Sequence, residues 1–283
     1  MKIKFVFIIT ICISTACMRK EIAIRTQYFP KVELRKETLP KKKNLWVFLL
    51  VGQSNMAGRG FVEPQDTIPS ERVLTINKKG DIIIAKEPIH FYEPTELGLD
   101  CGLSFGKEIT KYISDSITLL LIPTAVGGSR ISQWLDDERH RKVRLLTNFK
   151  EKVELGKNNG QIKGILWHQG ESDANQADAP FYKDRLSELF LQFREIVGDE
   201  KLPILIGELG AYSDRKDYEY SLQINKQIKQ YTTSDSNAIF VKSSDLDNKG
   251  YNGHFGSVSQ RAFGIRFAKE YIKHENISSL TED

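Results

Sequence analysis

The sequence predicts an α/β fold in which a mainly parallel central sheet carries helices on both faces. Two patterns point to it. Short continuous apolar runs recur at residues 45–51, 116–123, 162–168 and 202–209, as expected of strands buried on both sides. Between them lie segments with helical spacing, and strands that alternate with helices build parallel sheets. No internal repeat or low-complexity tract interrupts the alternation.

Taken in chain order, 45–51 is the first buried strand. "RVLTINKKGDIIIA" (72–85) reads as a hairpin turning at Lys79-Gly80. "GLSFGKEITKYIS", from Gly102, is helix-like, and 116–123 is the second buried strand. Residues 141–155 have helical spacing and stop near Asn159-Gly160, ahead of the third strand at 162–168. The clearest helix is 180–197. Tyr182, Leu186, Leu189, Phe190, Phe193, Ile196 and Val197 fall on one face, with Pro180 in its first turn and Gly198 at its end. A fourth strand (202–209), a helix (219–231) and a short fifth strand (238–242) follow. The last helix is expected to start at Ser257, where Ser257-Val258-Ser259-Gln260 fits a capping box, and to run to about Lys273.

The 283 residues are 40% hydrophobic and 28% charged, as in a soluble globular protein. The net charge of +4 is unevenly placed. Through Lys43, eleven Lys/Arg face three Asp/Glu; from Asn44 onward, 30 face 34. The body is therefore mildly acidic. That argues against a nucleic-acid partner, which would need a basic patch on the folded domain. "MKIKFVFIITICISTACMRKE" has a basic start, an apolar stretch at 5–13 and then small residues, the pattern of a secretion signal too short to span a membrane. Ser14-Thr15-Ala16-Cys17 is similar to a bacterial lipoprotein signal, with Ser14 where leucine is usual. Lipidation of Cys17 is expected, with plain signal cleavage or a retained anchor as alternatives. The chain then divides into a signal (1–17), a basic linker (18–43), a folded domain (44–275) and a tail (276–283). The protein is expected in the periplasm or cell envelope, meeting the membrane only through an N-terminal lipid anchor, with no obligate protein partner evident. The linker is either a tether beside an anionic membrane or a solvated spacer. Cys101 is the one cysteine left in the body, so no disulfide is expected there. It reads as a small buried residue more than as a nucleophile.

In a parallel sheet the loops at the carboxyl ends of the strands gather into one crevice. Four polar segments fall there: Gly52-Gln53-Ser54-Asn55 after the first strand, "TAVGGSRISQW" (124–134) after the second, "HQGESDA" (168–174) after the third, and "YNGHFG" (251–256) before the last helix. Ser54 on a tight turn can expose its hydroxyl and offer its own N–H to an oxyanion. Gly127-Gly128 lets backbone approach a ligand and point an N–H at it. Gln169 can add a side-chain amide, and His254 can take the proton of Ser54 and return it to a leaving group. Each feature alone is an ordinary turn or cap; their joint placement carries the reading.

The segments "GQSNMAGRG", "AVGGSRISQW", "WHQGESDA" and "GHFGSVSQRAFGIRFA" resemble the sialate O-acetylesterase-like family, which includes acetylxylan esterases of carbohydrate esterase family six, in the SGNH (GDSL-like) hydrolase superfamily. The resemblance covers roughly residues 44–272. It implies a flavodoxin-like three-layer α/β/α sandwich and a serine esterase that needs no metal or cofactor. It places the nucleophile at Ser54 and the base at His254. Oxyanion donors fall at the backbone of Ser54, at Gly127 or Gly128, and at the side chain of Gln169. Where relatives place an Asp three residues before the histidine, this chain has Tyr251. The triad acid is therefore expected at Glu171, with Asp247 or Asp245 as alternatives and a dyad as a further one; Glu171 could instead brace its loop by pairing with Arg59 or Arg130. The implied substrate is acetylated carbohydrate, either sialic acid or a polysaccharide such as xylan. Arg59, Arg130 or Arg139 would suit a sialic acid carboxylate, and Trp134 is either a sugar platform or a core residue. Tyr251 keeps a carbohydrate-binding pseudoenzyme as the alternative, while a lipase or thioesterase lacks the apolar loops expected of it.

Overall fold

A computed structural model describes residues 24–250 and 253–277. Residues 1–23, which include the expected signal and Cys17, residues 251–252, which include Tyr251, and residues 278–283 lie outside the described residues.

The apolar run after Asn44 forms β1 (Leu45–Gly52) at the heart of a seven-stranded sheet. Its neighbours are β4 (Thr118–Pro123) and β7 (Gln161–His168), both parallel to it. Beyond β7 come β8 (Ile204–Gly207) and β9 (Ala238–Val241), also parallel. Beyond β4 lie β2 (Val73–Ile76) and, antiparallel at the edge, β3 (Ile82–Ile84), which is the hairpin expected around Gly80. The order is β3-β2-β4-β1-β7-β8-β9.

Alternation along β1 explains the three layers. Val47, Leu49 and Val51 face one fully buried cluster with Phe149, Leu186, Phe190, Phe193 and Ile224. These come from α4 (Leu145–Asn159), α5 (Tyr182–Val197) and α6 (Tyr218–Ser234). Phe48 and Leu50 face the other cluster, with Phe105, Phe263, Phe267 and Tyr271, from α2 (Gly102–Ile109) and α7 (Ser257–His274). Each fully buried side chain of this size contributes about 1.5–3 kcal/mol. The fold is thus the flavodoxin-like α/β/α sandwich.

Several expectations change. The stretch from Arg141 opens as a small hairpin, β5 (Arg139–His140) with β6 (Val143–Arg144), and α4 starts only at Leu145. The α2 helix stops at Ile109 instead of continuing to 114. The capping box at Ser257 does not form: Gly256 is the N-cap, the Ser257 hydroxyl donates to Phe61 O (2.5 Å), and Gln260 is buried with its amide on Asn55 O (2.9 Å). The described part of the linker is packed onto the sheet. Ile84 N–H donates to Leu34 O (2.7 Å), Arg35 bridges Ile83, and Arg25 is buried. A three-residue edge strand leaves unpaired backbone groups on its outer side, and this segment covers them. Cys101, by contrast, is the small buried residue expected of it, packed against Met56, and burial, then Asp100 and Glu87, push its thiol well above its usual range.

The chain leaves β1 toward β2 and β4 and later returns to β7 on the other side. This reversal of winding opens a crevice at the carboxyl end of β1.

Candidate active site

Ser54 is the first residue of α1 (Ser54–Ala57), a single helical turn reached directly from β1. The first N–H groups of a helix have no intrahelical acceptor and carry its positive dipole end. The turn is tight because Gly52, at φ 143°, brings β1 onto β7: Gln53 N–H donates to His168 O (3.0 Å).

The imidazole comes from two hundred residues away. His254 Nε2 lies 2.8 Å from Ser54 Oγ. Asn55, whose role no sequence motif marks, ties the two segments together. Its Oδ1 accepts from Phe255 N–H (3.0 Å), its carbonyl accepts from Gln260 Nε2 (2.9 Å), and its Nδ2 donates to Glu171 Oε1 (2.7 Å). The Ser54 turn, the "HQGE" loop and the His254 loop are thus fastened through one side chain.

Gln53 does the same for the loop after β7. Its Oε1 accepts from Gln169 Nε2 (3.1 Å), Gly170 N–H (3.3 Å) and Ser172 N–H (3.2 Å). Gln169 is therefore not the oxyanion donor expected of it. It is fully buried, its amide donates to Gln53, Ser129 O (2.9 Å) and Asp173 Oδ2 (2.5 Å), and its Oε1 accepts from Tyr182 (3.2 Å). Burial holds the Asp173 carboxyl up, to about 6. An acid raised on folding binds more protons in the folded state, so its contribution falls as pH rises from about 4 to about 6. The variant Asp173→Asn should therefore gain stability relative to wild type across that window, by up to about 3 kcal/mol at pH 7. Parallel urea titrations at pH 4 and pH 7 check this; an unchanged difference between the two proteins would contradict it.

The two glycines separate in role. Gly127 N–H is engaged by Glu93 Oε2 (2.6 Å), so it is not available to an oxyanion. Gly127 O accepts from His140 Nε2 (2.9 Å). Gly128, at φ 74°, lines the same cleft as Ser54 and His254. The backbone donors left for an oxyanion are those of Ser54 and Gly128.

The cleft holds about 390 Å³, and its lining is polar, with Arg59, Glu96, Arg141, Glu171, Arg215 and Asp217 contributing charge. Arg59 lies on its floor, almost fully buried, bonded to Glu93 (2.9 Å) and Glu96 (3.3 Å). Arg141 pairs with Glu93 and with Glu96 (3.1 Å), and Arg215 pairs with Asp217 (2.8 Å). Glu93 carries this cluster. Arg59 beside it, the Gly127 N–H and Arg141 hold its carboxyl below its usual range despite the opposing cost of burial. Arg130 and Arg139 are not in the lining: Arg130 is exposed, 4.0 Å from Asp178, and Arg139 sits on the outer hairpin. Trp134 is a core residue, fully buried against Trp167 and Phe193 with its indole N–H on Ser129 Oγ (3.0 Å).

Among the acid candidates, Glu171 lines the cleft, and its carboxylate lies 3.9 Å from His168 Nδ1 as well as on Asn55. Asp247 accepts from Ser259 Oγ (3.1 Å) beside the histidine loop. Asp245 is held at about 2 by a bidentate pair with Arg266. His168 is buried and donates from Nε2 to Glu208 O (3.1 Å), and burial lowers its pKa against the opposing pull of Glu171.

A hydroxyl bonded to an imidazole nitrogen, beside two backbone donors in a polar cleft, is equipped for acyl transfer. Comparison with known proteins agrees in kind. The family model described as "Carbohydrate esterase, sialic acid-specific acetylesterase" matches residues 44–273. A curated relative from Arabidopsis thaliana, "Probable carbohydrate esterase", is 28% identical over 250 residues, covering 81% of this chain and 90% of that protein. A crystal structure of an Arabidopsis thaliana protein superposes with a TM-score of 0.71 at 25% identity, covering 83% of this chain and 99% of that one. That of NanS superposes at 0.67 and 16% identity, covering 84% and 99%. A carbohydrate acetylesterase from Xanthomonas citri superposes at 0.61 and 17% identity, covering 83% of this chain and 56% of that chain. These last two likenesses concern the fold.

Proposed function

This chain belongs to the family of carbohydrate esterases described as sialic acid-specific acetylesterases, and on that premise we propose that it removes O-acetyl groups from carbohydrate through an acetyl-enzyme on Ser54. The observation that carries the proposal is the 2.8 Å contact between Ser54 Oγ and His254 Nε2 on the wall of a polar cleft. Ser54 attacks the acetyl carbonyl while His254 takes its proton. The tetrahedral oxyanion is met by the N–H groups of Ser54 and Gly128. The imidazolium then protonates the departing sugar oxygen, and water, deprotonated by His254, releases acetate and restores the hydroxyl.

For the group that steadies the imidazolium we assign Glu171, the one acid candidate that lines the cleft with Ser54 and His254. Glu171→Gln is expected to lower kcat far more than Asp247→Asn, by up to about 10⁴ if it acts as the acid of a triad. The reverse ranking in steady-state kinetics would move the role to Asp247.

The charge of the lining favours a neutral acetylated sugar over a sialic acid. Arg59, Arg141 and Arg215 face Glu96, Glu171 and Asp217, and each guanidinium already has a carboxylate partner. A carboxylate substrate would have to share one of these guanidinium groups with its present partner and would meet the neighbouring carboxylates as like charges. Acetate release should therefore be faster, in kcat/KM, from acetylated xylo-oligosaccharides than from O-acetylated sialic acid. A tenfold preference for the sialic acid would overturn the neutral-sugar assignment. Failure to release acetate from either, or from p-nitrophenyl acetate, would overturn the esterase reading.

A further inference from the structure

Resting on the esterase reading, we propose that His140, on the hairpin between α3 (Ile131–Leu135) and α4, is a positioning residue that sets the oxyanion donor by holding the Gly127–Gly128 peptide in one orientation. The peptide between these glycines is trans, so its C=O and N–H point in opposite directions. His140 Nε2 donates to the Gly127 carbonyl at 2.9 Å. His140 is not part of the cleft lining, whereas both glycines are. With the carbonyl drawn toward the hairpin, the Gly128 N–H is turned the opposite way, to the side of the cleft.

The peptide needs such a hold. Residues 126–129 form a β-turn closed by Ser129 N–H on Val126 O (3.4 Å), and Gly128 at φ 74° has the geometry of the third residue of a type II turn. Type I and type II turns differ in the orientation of the central peptide, and here that is the Gly127–Gly128 peptide. Two glycines impose no side-chain preference between the orientations. In the other orientation the N–H would leave the cleft. Glu93 holds the preceding N–H, on Gly127, but does not touch the carbonyl that defines the flip.

The hairpin is itself built to aim this group. Its loop residues, Arg141 and Lys142, have φ of 44° and 74°, positions normally given to Asn or Gly. Non-glycine residues persist there only where the surroundings over-determine them, and such strain gathers at functional sites. The surroundings are visible: Arg141 is anchored on Glu93 and Glu96.

The test compares His140→Ala, His140→Gln and wild type, with Ser54→Ala as blank. Deleting a whole oxyanion donor typically costs 10²–10³ in kcat. A peptide that still visits the productive orientation loses less, so His140→Ala is expected to lower kcat by about 10–100-fold with KM nearly unchanged. Reaction of Ser54 with a p-nitrophenyl alkylphosphonate, whose adduct places an oxygen at the oxyanion position, should slow by the same factor. Glutamine keeps an N–H donor near Nε2, and His140→Gln should recover most of both rates. A His140→Ala variant with wild-type kcat overturns the inference. So does one whose loss appears in KM and melting temperature and is not recovered by glutamine. A wild type that neither releases acetate nor takes up the phosphonate overturns the esterase reading with it.

Discussion

Ser54→Ala is expected to lower kcat on acetyl esters by about 10⁴–10⁶-fold while leaving the fold intact. The two halves of this result have separate causes. Without the hydroxyl no acetyl-enzyme forms, and His254, the N–H groups of residue 54 and Gly128, and the cleft can offer only binding and a weak general base. The stability side is small because, among the described residues, the Ser54 side chain bonds to His254, on the wall of a polar cleft. Losing a bond of that kind costs about 1 kcal/mol or less. Acetate release, together with an unchanged thermal transition, checks both halves. A variant retaining a tenth or more of wild-type kcat would remove Ser54 from the mechanism.

Gly52→Ala is expected to have the largest effect on folding. A Cβ at this position would lie 2.0 Å from the His168 carbonyl oxygen, and the contact is with backbone, which cannot rotate away. The φ of 143° is also one that L side chains rarely adopt. Strain and overpacking each cost about 1–3 kcal/mol, so a total of about 2–6 kcal/mol is expected. That is a large part of the stability of a domain of this size. The damage is also local to function: Gly52 pairs in register with His168, and the next residue but one is Ser54. Chemical denaturation of the variant measures it, and a loss under about 1 kcal/mol would mean that β1 leaves the sheet by another path.

Much of this architecture is legible in the sequence. Continuous apolar runs at 45–51, 116–123 and 162–168 became β1, β4 and β7, the adjacent strands whose ends frame the crevice. The heptad-like face of 180–197 became α5, with Gly198 as its left-handed C-cap. The polar segments after those strands, and the one before the last helix, met as expected, so Ser54 and His254 came within hydrogen-bond distance. Burial periodicity is a local property, and it reports which elements form and where they end.

Tertiary structure alone decided which polar residue of each segment faces the cleft. Gln169 looked like an oxyanion donor and is instead a buried brace, because its partner Gln53 lies 116 residues earlier. Gly127 and Gly128 look alike in sequence, and Glu93, 34 residues before the first of them, takes the N–H of one and leaves the other. Arg141 and Arg215 line the site while Arg130 does not, since Glu93 and Asp217 hold the first two in place. Trp134 is drawn into an aromatic cluster with Trp167 and Phe193. Local sequence pattern carried the layers, the strand ends and the pairing of Ser54 with His254. The folded chain decided the allocation of donors and charges, because a buried polar group takes whatever partner the fold brings within about 3 Å, and that partner is commonly far away along the chain.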